Sequence, residues 1–316
     1  MDPSVLTKST TKPPEKVRTL LSFRLRLLGL ALSIGFVLLC FCRQLTQWVT
    51  FAWSRDLYSH VLLIPFISLY LIWLQKRNLL VDSMPARRLA IAPAAIGVGV
   101  LSFAWSGFDG NLPRPIEDYL AVMAIAVLCF LAVSLFWFLG LGILRKLAFP
   151  LAFLIFVIPF PASIVNQIEF WLQHGSAEVA YWLFQAFGTP VLKQGTYFQL
   201  PGFSLHVAPE CSGIHSSLVL FISSLLAGYV LLRSPWRRAA LAISVIPLAL
   251  LRNGFRIFVI GELCVNVSPD MINSFIHTRG GPIFFALSLV PLFLFILLLK
   301  RSETKLQSNP PHMKVK

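Results

Sequence analysis

Charge is scarce in this chain. Asp, Glu, Lys and Arg make up 13% of its 316 residues, roughly half the share found in soluble domains. A water-facing surface of this size cannot be built from so few charges, which excludes a soluble globular enzyme. Acids are the scarcest, with 13 Asp and Glu against 27 Lys and Arg. Cysteine is limited to positions 40, 42, 129, 211 and 264. That odd count with no Cys-x-x-Cys pair excludes a disulfide framework and a zinc motif. There is no His-Glu-x-x-His and no Gly-x-Ser-x-Gly, which argues against a zinc or serine intramembrane peptidase. No internal repeat is evident, as a transporter with polar groups through the membrane thickness would favour.

Apolar residues fill the gap. Hydrophobic residues make up 57% of the chain, with 27 Phe and 8 Trp, and mean hydropathy is +0.76. So many large side chains demand burial, which excludes disorder. Eight apolar stretches approach the ~20 residues a bilayer-spanning helix needs: residues 24–46, 57–75, 89–105, 118–139, 147–165, 211–232, 239–262 and 281–299. The fold class expected is an all-α polytopic membrane protein with about eight transmembrane helices. The first stretch is too long for a signal peptide and has no small-x-small cleavage site after it.

Orientation follows from the basic residues. With the N-terminus inside, twenty of the 27 Lys and Arg fall in the N-terminal tail and the inward end of the first span, the three inner loops and the C-terminal tail. Most acids, among them Asp109, Glu117, Asp118, Glu178, Glu210 and Asp270, fall outside. The positive-inside rule then places both termini in the cytoplasm. The formal charge of +14 is accounted for by topology and contact with anionic lipid, with no nucleic acid as partner. Residues 1–23 read as a basic cytoplasmic tail, 24–299 as one membrane domain and 300–316 as a second basic tail.

Residues 166–210 are too long for a bare outer loop. Ile168, Trp171, Leu172, Val179, Trp182, Leu183 and Phe187 recur near helical spacing between polar residues. This predicts an amphipathic helix over 164–187, lying in the interface with its Trp at headgroup depth. Gly188-Thr189-Pro190 breaks it, and 191–207 reads as a β-hairpin around Gly195 and Pro201-Gly202. This extracytoplasmic element is expected to roof a site, so that deleting 188–207 impairs substrate capture more than membrane insertion.

Ionisable residues inside spans mark functional sites, and here they gather late in the chain. Glu210-Cys211-Ser212-Gly213 opens the sixth span, Arg252-Asn253-Gly254-Phe255-Arg256-Ile257 lies in the seventh, and His277-Thr278-Arg279 precedes the eighth. A thiol at a helix N-terminus is drawn toward thiolate. A nearby imidazole can carry a proton to a leaving amine, and a guanidinium can stabilise thiolate or oxyanion. Together these types suit acyl transfer through a cysteine nucleophile. Each also has a bland role: a small hydrophobe for the thiol, a brace for helix-end carbonyls for the Arg, a solvated loop residue for the His.

The segment from Leu200 to Ile257 resembles the exosortase/archaeosortase family of membrane cysteine transpeptidases. The family shows Cys-Ser/Thr-Gly at a span start, Asn-x-x-Arg-Ile in the next span and a His before the last. This chain has Cys211-Ser212-Gly213, Asn253-Gly254-Phe255-Arg256-Ile257 and His277 in that order. Tyr58-Ser59-His60, Phe149-Pro150 and Ile158-Pro159-Phe160-Pro161 extend the resemblance over about residues 50 to 299.

The resemblance implies Cys211 as nucleophile, Arg256 as stabiliser and His277 as acid/base, in a site facing the periplasm or exterior from the cytoplasmic membrane. It implies as partners exported proteins with a C-terminal sorting signal: a Pro-Glu-Pro-like motif, a transmembrane helix and a basic tail. The lipid bilayer and exopolysaccharide machinery are the further partners. Arg252, Arg279 and Asn253 are expected to bind substrate, the cations meeting the acidic motif residue. No cofactor or metal is expected. The alternative is a non-catalytic multi-span transporter or scaffold for polysaccharide export.

Overall fold

The computed structural model describes residues 15–76, 84–107, 115–268, 270–271 and 280–308. They form two compact units, residues 1–162 and 163–316. Seven of the described helices are long and apolar enough to cross a membrane, or eight if Ala148–Val157 and Ala162–Ala186 form one broken span. Large apolar side chains such as Leu28, Leu32, Phe36, Leu294 and Leu298 point outward and are exposed. That is how a protein solvated by lipid is finished. The chain is an all-α multi-pass membrane protein.

The first unit is built around α5 (Ile116–Phe138), which packs on α4 (Ile91–Gly107) and α1 (Glu15–Cys40). Small buried residues on α5, Ala121, Ala124 and Ala126, let its neighbours approach closely, the usual device where lipid removes the hydrophobic drive between helices. The Ser33 and Ser134 hydroxyls hydrogen-bond between α1 and α5 at 2.8 Å. Helix α1 begins at Glu15, within the segment read as a tail. It ends at Cys40, and after Phe41 the chain continues as α2 (Cys42–Ser54). The apolar span within α1, Phe23–Cys40, is 18 residues and ends before the stretch 24–46 does. A short 3-10 turn, Asp56–Leu62, leads into α3 (Ile64–Gln75).

The fifth span is also interrupted. Helices α6 (Leu141–Lys146) and α7 (Ala148–Phe153) lead into a 3-10 turn at Leu154–Val157, and the helix then stops at Pro159-Phe160-Pro161. Pro161 has no N–H to give the Val157 carbonyl four residues back. Trp48 Nε1–H donates to that carbonyl instead, at 3.2 Å. The Tyr58 hydroxyl donates to the Phe160 carbonyl, also at 3.2 Å. Asp118 then accepts the Ala162 N–H at 2.9 Å, serving the first donor of α8 (Ala162–Ala186). Three side chains from α2, the Asp56–Leu62 turn and α5 thus complete a broken backbone, as burial in an apolar medium requires.

The second unit holds α8, a small sheet, α9 (Ile214–Leu231), α10 (Pro235–Asn266) and α11 (Gly281–Ser308). Helices α9, α10 and α11 pack together around Leu220, Leu241, Val245, Leu292 and Ile296. Glu303 on α11 accepts the N–H groups of Arg233 and Ser234, at 3.2 and 2.8 Å, and pairs with Arg237 at 3.2 Å. It thereby serves donors beside the start of α10. Along α8 the buried residues Val165, Gln173, Ser176, Ala177, Ala180 and Phe184 fall on one side. Ile164, Ile168, Trp171 and Trp182 on the other side are exposed, so the amphipathic reading of this segment describes a real helix. It packs on α10 through glycines. A β-carbon at Gly254 would lie 2.5 Å from Val179 Cγ1, and one at Gly261 would lie 2.5 Å from Phe184 Cζ.

The expected hairpin is a three-stranded antiparallel meander of β1 (Leu192–Gln194), β2 (Tyr197–Leu200) and β3 (Phe203–His206). Two-residue turns at Gly195-Thr196 and Pro201-Gly202 set the register, with Leu192 opposite Gln199 and Tyr197 opposite His206. Alternation buries Phe198, Leu200 and Leu205, with Val207 just after, against Ala177, Phe184, Ile257 and Phe258. The sheet is therefore part of the core of this unit. Deleting 188–207 would strip that core, so the expected separation of substrate capture from folding cannot be read from such a deletion.

Candidate active site

The chain leaves β3 through Val207, whose N–H donates to the Thr196 carbonyl at 3.0 Å. The Val207 carbonyl accepts from Gln173 Nε2 on α8. Pro209–Cys211 then forms a single 3-10 turn, closed by Cys211 N–H to the Ala208 carbonyl and Ser212 N–H to the Pro209 carbonyl, both at 2.9 Å. Gly213 follows with φ +72° and is the N-cap of α9. An L-residue with a β-carbon is disfavoured there.

This geometry corrects one expectation. Cys211 does not open the sixth helix. It lies two residues before the cap, at the end of the 3-10 turn, with the left-handed Gly213 between that turn and α9. The thiol sits beside the helix start rather than within its first turn, and it is half-buried.

Helix α10 supplies the other side. Arg252 and Arg256, four apart, lie on one face of the helix, and Asn253 stands about 100° around from Arg252. Arg252 is 8% exposed and Asn253 2%. Arg252 Nη2 donates to the Gly213 carbonyl and to Ser217 Oγ, each at 3.2 Å. Asn253 Nδ2 donates to the Cys211 carbonyl at 2.8 Å and to the Ser212 carbonyl at 3.2 Å. Two adjacent side chains therefore hold three successive carbonyls of the Cys-Ser-Gly loop. Arg252 Nη1 and Ser212 Oγ are buried and have no hydrogen-bond partner among the described residues.

Arg256, one turn further along, is partly open and borders two spaces. A small cavity of about 20 Å³ is lined by Cys211, Asn253, Arg256, His206, Val207 and neighbouring apolar residues. A larger cleft of about 450 Å³ is lined by Arg256, Gly213, His215, Ser216, Phe285 and the Gly281-Pro282 start of α11. The structure thus brings Cys211 and Arg256 to one cavity. His277 and Arg279 lie outside the described residues. Asn253 touches the cavity, but its amide N–H groups point to the Cys211–Ser212 backbone, and Arg252 lines neither space.

Two imidazoles border the site without having been singled out from sequence. His206 stacks on Tyr197 at 4.1 Å between ring centres, in the cross-strand pair of β2 and β3. His215 lies in the first turn of α9. Their nearness to Cys211 in sequence was the available signal, since neither belongs to the motif that marks the loop.

A family model described as transmembrane exosortase matches residues 48–294. The chain belongs to the transmembrane exosortase family. No curated protein and no solved structure matches it. The matched region runs from within α2 to within α11, so it includes the whole Cys211 loop, the Arg252–Arg256 segment of α10 and both spaces bordered by Arg256. This exosortase carries its thiol and guanidinium within a single compact unit.

Proposed function

We propose that the chain is an exosortase-like cysteine peptidase or transpeptidase that cleaves exported proteins at a C-terminal sorting signal. The observation carrying this reading is that Cys211 and Arg256, held by separate segments of an exosortase-family chain, line one cavity. The signal consists of a Pro-Glu-Pro-like motif, a transmembrane helix and a basic tail. The tail keeps to the cytoplasm by the positive-inside rule, so the motif emerges at the exterior face of the cytoplasmic membrane, where the Cys211 loop is placed by the same rule. Surface display alongside exopolysaccharide export is the setting that fits such a substrate.

In the reaction, the Cys211 thiolate attacks the scissile carbonyl carbon, and a C–S bond forms as the carbonyl oxygen gains negative charge. Arg256 stabilises that oxyanion. The C–N bond then breaks, and His277 donates a proton to the leaving amine. Water or an acceptor amine attacks the thioester, loses its proton to His277 and releases the Cys211 thiolate. An acidic motif residue needs a cation. Arg252 is engaged beneath the loop, which leaves Arg279 of the expected pair.

The test is Cys211→Ala in the producing cell, with mass analysis of surface proteins that end in such a signal. Accumulation of uncleaved precursors at parental levels of membrane-inserted enzyme is the expected result. Processing at the parental rate would instead favour a non-catalytic export scaffold.

A further inference from the structure

A nucleophile is only as well aimed as the backbone that carries it. Cys211 ends a single 3-10 turn and Gly213 caps α9, whose first N–H bond the Gly213 carbonyl accepts, so the Cys211 and Ser212 carbonyls are the two left outside a regular ladder. In a buried setting each orphan carbonyl would seek another partner and take the chain with it. Here Asn253 supplies a donor to both, and Arg252 one to the Gly213 carbonyl. The Gly213 carbonyl is further tied by Ser217 N–H at 3.0 Å and Ser217 Oγ at 2.8 Å, and Arg252 bridges that same carbonyl and hydroxyl. Cys211 is consequently held at both its N–H and its C=O.

We propose that Arg252 and Asn253 are positioning residues for the thiol, acting on the backbone of its loop instead of touching substrate. Three features set this apart from ordinary packing. The two donors are adjacent on α10, and Arg256, one turn on, borders the same cavity as Cys211, so one rigid helix fixes nucleophile and guanidinium relative to each other. Asn253 is almost wholly buried and spends both its bonds on the loop. Gly213 has no room for a β-carbon, which would lie 2.8 Å from Arg252 Nη2 and 3.1 Å from Asn253 Oδ1. The glycine of the Cys-Ser-Gly motif and the asparagine of the Asn-x-x-Arg-Ile motif are thus two halves of one lock.

The inference rests on Cys211 being the nucleophile, and its test separates the two ideas. In a full-length background where Cys40, Cys42, Cys129 and Cys264 are replaced by Ala, Cys211 is the only thiol. Asn253→Asp keeps the side-chain shape but removes the donor, and Arg252→Met removes both bonds and charge while Arg252→Lys keeps the charge and one donor. Each is assayed for iodoacetamide alkylation of Cys211, for thermal midpoint in detergent micelles, and for kcat and KM on a membrane-anchored peptide carrying the sorting signal. The expected result for Asn253→Asp and Arg252→Met is a kcat about 100-fold lower with KM within twofold. Alkylation slows but still reaches one thiol per chain, and Arg252→Lys recovers at least tenfold over Arg252→Met. A raised KM at parental kcat would mean direct substrate contact and overturn the proposal. A fall in kcat matched by the loss of folded protein would overturn it as well, as would parental alkylation and turnover in all three variants. Should the parental chain itself fail to cleave the peptide, the reading of function fails, while the alkylation series still decides whether these residues aim the thiol.

Discussion

The guanidinium of Arg252 occupies the space a side chain at Gly213 would need, with Nη2 2.8 Å from where a β-carbon would stand. Gly213 also sits at φ +72°. The position is therefore closed to L-residues twice over, once by its own backbone and once by its neighbour.

Gly213→Ala is accordingly expected to be damaging out of proportion to one methyl group. The left-handed conformation alone costs an L-residue about 1–2 kcal/mol, and the clash displaces the donor that serves the Gly213 carbonyl. The thermal midpoint should fall modestly, whereas processing should be lost. A variant with parental processing would show that the loop tolerates a different path and that its geometry is not constrained in this way.

The close packing of α8 on α10 makes a second prediction. Gly254 is buried, and a β-carbon there meets Val179 at 2.5 Å and the Ser176 carbonyl at 3.0 Å. Overpacking of this kind costs about 1–3 kcal/mol. Gly254→Ala should lower stability by that order, and Val179→Gly in the same chain should return part of it, since Cγ1 at 2.5 Å and Cβ at 2.6 Å are both removed. A double-mutant cycle on detergent unfolding measures the coupling. Strict additivity would mean that the two helices separate freely and that the glycine is not there for close approach.

The spans were legible from sequence because bilayer thickness imposes a length and an apolar content that any reader can count. The break at Pro159-Phe160-Pro161 was foreseeable from its prolines, but its repair was not. Trp48 and Tyr58 lie about a hundred residues away, and nothing in their local pattern says which carbonyl they will serve. The stop at Phe41 lacks both Pro and Gly, so 24–46 read as one helix. At the site, the ionisable residues of α10 drew notice because charge is rare in a span, but Cys211 among five cysteines and Arg256 beside Arg252 were picked out by the resemblance of their motifs. Asn253 read as a substrate ligand because its true acceptors are backbone carbonyls, which every residue carries and no motif encodes. The place of Cys211 before the cap, instead of inside α9, goes with the left-handed φ of a single glycine.

Asp118 offers a local test of the broken span. Its carboxylate accepts the first N–H of α8 from a different helix, doing the work of an N-cap. Asp118→Ala should cost about 1 kcal/mol, and the effect should be confined to the start of α8. Hydrogen exchange at residues 162–165 is expected to quicken while that of the α5 interior stays slow. Unchanged exchange there would mean that another acceptor, from the chain or a lipid headgroup, satisfies the helix start.

The sheet supplies a matched pair of side chains for the last prediction. Phe198 and Tyr197 are consecutive on β2, so pleating sends them to opposite faces. Phe198 is wholly buried, its ring 5.9 Å from that of Phe184, and it belongs to the cluster that includes Ile257 and Phe258 on α10. Tyr197 is exposed and stacks on His206 across the strand pair. Truncating a buried aromatic leaves a cavity and costs about 3–5 kcal/mol, while a cross-strand pair contributes about 0.2–1 kcal/mol. Phe198→Ala should therefore unfold the second unit at a much lower temperature, and with it disturb Ile257, the immediate neighbour of Arg256 on α10. Tyr197→Ala should leave the fold intact and free the His206 ring at the edge of the small cavity. If the two variants melted alike, the meander would be a surface appendage, and the thiol loop that follows it would owe its position to α10 alone.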